Sequence, residues 1–169
     1  IRAWKNNETT AFKWKNFFKV ALMIKNDSIN VDDKEILSLE QELRHKITKI
    51  EHCDIFQEGL EIPQKSFDII NTHFVAESAT SSKEQWEMAL KNMYQKLNTN
   101  GLLFMSALRG AKNSYKVLEK SFPAVELYED DVESGLEKAG FHVIRVTSIH
   151  TEDTSNNYEG FMFIIAQKK

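Results

Sequence analysis

Three short stretches of this 169-residue chain carry side chains able to hold a small ligand: Asp54-Ile55, Asn71-Thr72-His73 with Glu77 close behind, and Ser106 with Arg109. A carboxylate such as Asp54 can accept a hydrogen bond from an exocyclic amine while Ile55 packs on a flat ring. The plainer role for the same acid is to cap a turn. All three stretches stand at the end of a segment that reads as a strand, and open parallel sheets bind ligands outside the carboxyl ends of their strands. Of the five histidines, His73 alone stands at the carboxyl end of a central strand. His52, Cys53 and Asp54 are consecutive, so on a strand they point to alternate faces and do not chelate one ion. No metal is assigned. Cys53 has no activating partner and reads as a small hydrophobe rather than a nucleophile. There is no Gly-x-Ser-x-Gly elbow and no glycine-rich phosphate loop.

The elements that must position these residues follow from hydrophobic period. Residues 1–25 set Trp4, Phe12, Trp14, Phe17, Phe18, Leu22 and Met23 among lysines, which suits one or two amphipathic helices. Their aromatic face reads as packed on a sheet, with an RNA- or membrane-binding stripe as the rival. After a turn over 26–30, a surface helix is expected from Asp32 or Asp33 to about Thr48. Residues 47–55 then alternate apolar and polar, a strand period. Beyond a turn at Gly59 and Pro63, the β-branched run 67–75 reads as a central strand covered on both faces. Ser81 and Ser82, followed three residues later by Glu84 and Gln85, predict a helix start. Asn100-Gly101 ends that helix, and 101–108 is the next buried strand. An irregular segment from Tyr115 to Leu127 precedes a helix opened by Asp130 and Asp131 and capped by Gly140. Two last strands, 141–149 and 161–167, flank a polar loop and read as a hairpin whose final strand is antiparallel. The order is α/β, and the helical crossovers imply a mostly parallel sheet.

Composition narrows the classes. With 41% apolar and 11% aromatic residues the chain needs a core, and two prolines and six glycines exclude collagenous or low-complexity character. The formal charge of -3 gives no global reason to bind nucleic acid, although residues 1–25 hold six Lys/Arg against Glu8. One cysteine excludes a disulfide framework. No apolar run approaches the ~20 residues that span a bilayer, and no leader pattern is present. A cytoplasmic location, away from membranes, is expected.

The order of these segments, with particular residues in them, resembles the nicotinamide, phenylethanolamine and indolethylamine N-methyltransferase family. Trp4 with Ala11-Phe12-Lys13-Trp14, Cys53-Asp54-Ile55, Phe67-Asp68-Ile69-Ile70-Asn71-Thr72, Leu97-Asn98-Thr99-Asn100-Gly101 and Asn156-Asn157-Tyr158-Glu159-Gly160 carry the likeness across the whole chain. The resemblance implies an α/β, class I methyltransferase fold, Rossmann-like and doubly wound, with an antiparallel last strand. It also implies S-adenosyl-L-methionine as cofactor and methyl transfer to a nitrogen of a small-molecule amine or heterocycle. Asp54 and Ile55 would hold the adenine, the backbone near Thr72 and His73 would line the methionine end, and Glu77 would sit nearby. The acceptor would lie among Ser106, Arg109, Tyr115, Asn156 and Asn157.

Two departures qualify the likeness. The family places an acid where this chain has Ser106 or Arg109, which argues against nicotinamide or a catecholamine and for a guanidino, heterocyclic or partly anionic acceptor. The family's first strand and its Gly-x-Gly turn have no counterpart in the chain. Residues 1–169 are therefore expected to be the C-terminal portion of a single methyltransferase domain, incomplete at the N-terminus. The first two strands would then come from an N-terminal half of the same protein, and this chain alone should bind S-adenosylmethionine weakly or not at all. The rival reading is a catalytically inactive, methyltransferase-like partner subunit.

Overall fold

Helix period and capping chemistry build Ile1–His52, the first of two compact units; the second is Cys53–Lys169. The computed structural model describes residues 1–58, 60, 62, 66–153 and 155–169. The turn expected at Gly59 and Pro63 lies outside them.

The first unit holds α1 (Arg2–Lys5), α2 (Lys15–Asn26) and α3 (Asp33–Lys46). Asp32 caps α3 by accepting from the Lys34 amide, while its own amide donates to Glu35, so two orphan donors of the first turn are satisfied together. Asp27, at φ 49°, ends α2 in the left-handed conformation. Within this unit the aromatic face meets α3, and the unit contains no strand among its described residues. Trp4 is buried, with its indole N–H donating to Glu40 at 2.7 Å and the Arg44 guanidinium over its ring at 4.8 Å. Phe12 and Phe17 remain about 60% exposed, at 62% and 60%.

The second unit is built on a sheet of β1 (Phe67–His73), β2 (Leu97–Arg109), β5 (Phe141–His150) and β6 (Gly160–Lys168), in the order β1-β2-β6-β5. Helices α4 (Lys83–Lys96) and α5 (Glu129–Ala139) cover one face, closing Trp86, Leu90, Val132 and Leu136 over Leu103, Met105, Met162 and Ile164. Ser82 caps α4 by accepting from the Gln85 amide, as the sequence predicts. Gly140, at φ 103°, ends α5 as expected. A Cβ at Gly135 of α5 would stand 2.4 Å from the Trp86 ring, so the two helices approach at a position that only glycine fits.

Several expectations change, the end of α4 among them: the helix stops at Lys96, and Asn100-Gly101 lie inside β2. The sheet is not mostly parallel: β1 and β2 pair in parallel, but β6 enters between β2 and β5 and makes both other ladders antiparallel. The run at 67–73 is an edge strand, with Ile69 57% exposed, because a hydrophobic run records burial without recording which neighbours supply it. Residues 47–54 are coil despite their alternation, since a strand period forms a strand only where a neighbour receives its backbone hydrogen bonds. The segment expected to be irregular contains a hairpin, β3 (Ser114–Val117) and β4 (Lys120–Pro123). Its tight turn carries Leu118 at φ 55° instead of Gly or Asn, so the usual turn signature is missing. The antiparallel last strand is present as β6.

Candidate functional site

The parallel pairing of β1 and β2 sets their carboxyl ends side by side, with His73 opposite Ser106. Because β6 runs the other way, its first residue, Gly160, pairs with Arg109 at that same rim. The polar loop before β6, which carries Asn156 and Asn157, therefore meets the rim by topology alone.

Asp54 sits in a turn that α4 holds in place. Its Oδ1 accepts from the Phe56 amide at 2.9 Å, which is the turn-capping role. Asn92, only 2% exposed, donates from Nδ2 to the carbonyls of Ile55 at 2.9 Å and Gln57 at 3.0 Å. An ionised carboxylate has about four lone-pair sites, so a single amide bond leaves Asp54 acceptor capacity for a ligand. Cys53, Ile55, Ile69, Asn71, Thr72 and Val75 line one groove of about 400 Å³ along the outer side of β1. Ile55 and Thr72, expected at opposite ends of a cofactor, thus share a cavity with a largely apolar wall.

His73 lies elsewhere. Successive strand residues face opposite ways, so His73 stands on the sheet face opposite to that of Thr72. Its Nδ1 lies 2.7 Å from the Ser106 hydroxyl, in a cleft of about 350 Å³ shared with Phe104, Arg145, Thr147 and Phe163. Ser106 is 2% exposed, so its hydroxyl serves the strand-end pairing first. The His73 backbone is what remains at the rim.

Glu77 is buried just beyond β1, at 1% exposure. Its Oε1 accepts from the Leu108 amide at 3.2 Å and from the Ser78 hydroxyl at 2.8 Å, while Oε2 has no partner among the described residues. Burial pushes its carboxyl above the ordinary range; the Ser78 hydroxyl and backbone amides only partly oppose that. An unpartnered buried carboxyl oxygen carries an uncompensated desolvation cost, which is the physical cause of that upward shift.

On the acceptor side, Tyr115 stacks on Phe122 with ring centroids 5.5 Å apart. Asn157 donates to the Ser114 carbonyl at 2.7 Å, and the Asn156 carbonyl accepts from the Lys116 amide at 3.0 Å. Gly110, Lys112, Asn157, Tyr158 and Glu159 enclose a smaller cavity of about 240 Å³. Arg109 does not point a free charge into it. Its Nε donates to Glu129 at 2.9 Å, its Nη1 to Glu159 at 2.8 Å, and its guanidinium lies 4.9 Å from the centroid of the Tyr128 ring. The Ser148 hydroxyl first, and Arg109 after it, hold the Glu129 carboxyl down to about 2.

Sequence reasoning missed Asn92, Ser148, Glu129 and Glu159. The interior helical position of Asn92 was a usable signal, because asparagine there is disfavoured unless its amide has fixed partners. The other three are ordinary surface residue types and carried none. Among the described residues, no helix is long and apolar enough to cross a membrane.

Comparison with known proteins agrees with this architecture. The family model described as NNMT/PNMT/TEMT matches residues 1–169. Indolethylamine N-methyltransferase of Mus musculus is 23% identical over 99% of the chain, and that of Oryctolagus cuniculus 25% identical over 100%. The chain spans 63% and 64% of the length of these two relatives. Among solved structures, a SAM-dependent methyltransferase from Methanosarcina mazei aligns with a TM-score of 0.55 at 17% identity, over 71% of this chain and 66% of the other. N-methyltransferase NodS from Bradyrhizobium japonicum, in complex with S-adenosyl-L-homocysteine, aligns with a TM-score of 0.53 at 14% identity, over 79% of this chain and 62% of the other. The fold is that of class I SAM-dependent methyltransferases. With the family model matched over residues 1–169, the chain belongs to the NNMT/PNMT/TEMT family.

Proposed function

We propose that this chain serves S-adenosyl-L-methionine-dependent methyl transfer to a nitrogen of a small-molecule amine or heterocycle. The observation that carries this reading is the groove shared by Ile55 and Thr72, which runs along the outer side of β1 to its carboxyl end. In this reading Ile55 offers a nucleoside base a flat apolar contact in the groove, the adjacent Asp54 keeps acceptor capacity for an exocyclic amine, and Thr72 lies further along the same groove towards His73. Glu77, buried beside that rim and bonded to the Leu108 amide, supports the rim from within. The cofactor, when bound, supplies a methyl group on an already activated leaving group. The protein's residues then bind, align and exclude water, and no nucleophilic side chain is required. Tyr115, Asn157 and the cavity beside Glu159 form the acceptor wall. Ser106 fixes His73 at the ends of the parallel strands, and the two units belong to one domain.

The test uses the native gene product: transfer of a labelled methyl group to a panel of primary amines and N-heterocycles, with S-adenosylhomocysteine affinity measured in parallel. Asp54→Ala is expected to weaken that affinity about tenfold or more, the scale of losing one hydrogen bond to a charged group. Equal affinity in Asp54→Ala would remove Asp54 from the site. Absence of transfer to any amine or heterocycle would remove the acceptor class.

A further inference from the structure

We propose that Arg109 is a positioning residue: a latch that ties the loop before β6 to the N-terminus of α5 and thereby sets the shape of the acceptor wall, instead of binding the acceptor. The reasoning begins with charge. Glu129, Arg109 and Glu159 together carry a formal charge of -1, so the guanidinium presents no net attraction to an anionic acceptor. Its side chain is 16% exposed and spends two donors on carboxylates from different elements, the planar-fork use for which arginine is suited. The main chain doubles the tie. The Glu159 amide donates to the Arg109 carbonyl at 2.8 Å, and the Glu159 carbonyl accepts from Thr151 at 2.9 Å.

Gly110 makes this closure possible. Its φ of +61° favours glycine, and a Cβ there would lie 2.7 Å from the Glu159 side chain. From Glu159 the constraint passes back two residues to Asn157, whose side chain holds Ser114 of the β3–β4 hairpin. At the other end, Glu129 opens α5 and is braced from β5 by the Ser148 hydroxyl. One guanidinium therefore connects the end of β2, the start of α5 and the loop before β6, and through them the hairpin.

The proposal takes the identity of the acceptor wall from the methyl-transfer reading, but its test reads backbone protection in this chain and no catalysis. Failure of either is thus separable from failure of the other. Hydrogen exchange followed by mass spectrometry would compare the parent with Arg109→Met, Arg109→Lys and Glu159→Gln. In Arg109→Met, peptides covering 155–160 and 113–118 are expected to exchange about tenfold faster, while peptides of α4 keep their protection. Arg109→Lys, which cannot span both carboxylates as a fork, should fall between parent and Met. The double variant Arg109→Met/Glu159→Gln should be no faster than Arg109→Met alone, because both remove the same tie. Glu159→Gln, at a more exposed position, keeps the test open should Arg109→Met fail to fold. Parent-like exchange of the loop in Arg109→Met and in Glu159→Gln, acceleration spread equally through α4, or additive effects in the double variant would overturn the latch.

Discussion

Replacing Gly135 by alanine tests the contact that seats α5 on α4. In an exposed helix this substitution stabilises by about 1 kcal/mol, because alanine loses less backbone entropy than glycine. Here the added Cβ would lie 2.4 Å from two carbons of the Trp86 ring and 3.3 Å from Leu90. The first distance is about 1 Å inside ordinary carbon contact. Trp86 has 0% exposure, so the ring cannot swing into solvent and the helices must separate or the ring must leave its rotamer. Overpacking of this kind costs about 1–3 kcal/mol, and against a rigid buried ring the upper half of that range applies. After the helix-propensity gain, Gly135→Ala should lose about 1–2 kcal/mol. Urea unfolding would show this as a lower midpoint with an unchanged slope. The control is Trp86→Phe/Gly135→Ala. Phenylalanine removes the two ring carbons in conflict and an indole N–H that has no partner among the described residues. Alanine should then be tolerated, with a coupling of at least about 1 kcal/mol between the positions. A Gly135→Ala protein more stable than the parent by about 1 kcal/mol, with no coupling to position 86, would refute the close approach.

Three further outcomes follow from the rim. Glu77→Gln should stabilise the protein increasingly as pH rises above the ordinary carboxylate value of 4.5. There the unfolded Glu77 ionises freely while the buried one resists, so folding stability falls with pH until its raised pKa is passed; a difference between the two proteins that stays flat from pH 4 to 8 refutes this. Glu129 works in the opposite sense: held at about 2, it contributes stability above 4.5 that is lost as pH falls from 4.5 towards 2. Ser148→Ala removes the largest cause of that depression and should raise the acid-unfolding midpoint, and an unchanged midpoint would show that the hydroxyl does not hold the carboxylate. Asn92→Ala should cost about 1–3 kcal/mol, because the Ile55 and Gln57 carbonyls lose their donor. Proteolysis within 54–58 should then become faster at unchanged temperature, and an unaltered cleavage rate would mean that α4 does not hold the Asp54 turn.

The parts of the fold legible in the sequence are those set by neighbours a few residues away. Ser82 caps α4, Gly140 ends α5, and the spacing of Trp86, Leu90 and Met93 marks the buried face, all from residues within one or two turns. The antiparallel last strand was also legible, since two strands joined only by a loop have few ways to pair. What required the tertiary structure was the identity of neighbours. The alternation over 47–55 matches a strand but has no ladder to join, and the hydrophobic run at 67–73 lies at an edge rather than in the middle of the sheet. A period of two or of 3.6 states which face is buried and is silent about what buries it.

The same division runs through the site. Strand-end reasoning put forward Asp54, Thr72, Glu77, Ser106 and Arg109, because ligand-binding groups gather there in open α/β sheets, while Tyr115 and Asn157 rested on the family resemblance alone. Tertiary structure alone decided that Arg109 is occupied by Glu129 and Glu159, 20 and 50 residues further along the chain. It alone decided that one Glu77 oxygen has no donor among the described residues and that Asn92 holds the Asp54 turn. Charge pairing and burial depend on distances across the folded chain, which local residue spacing does not encode.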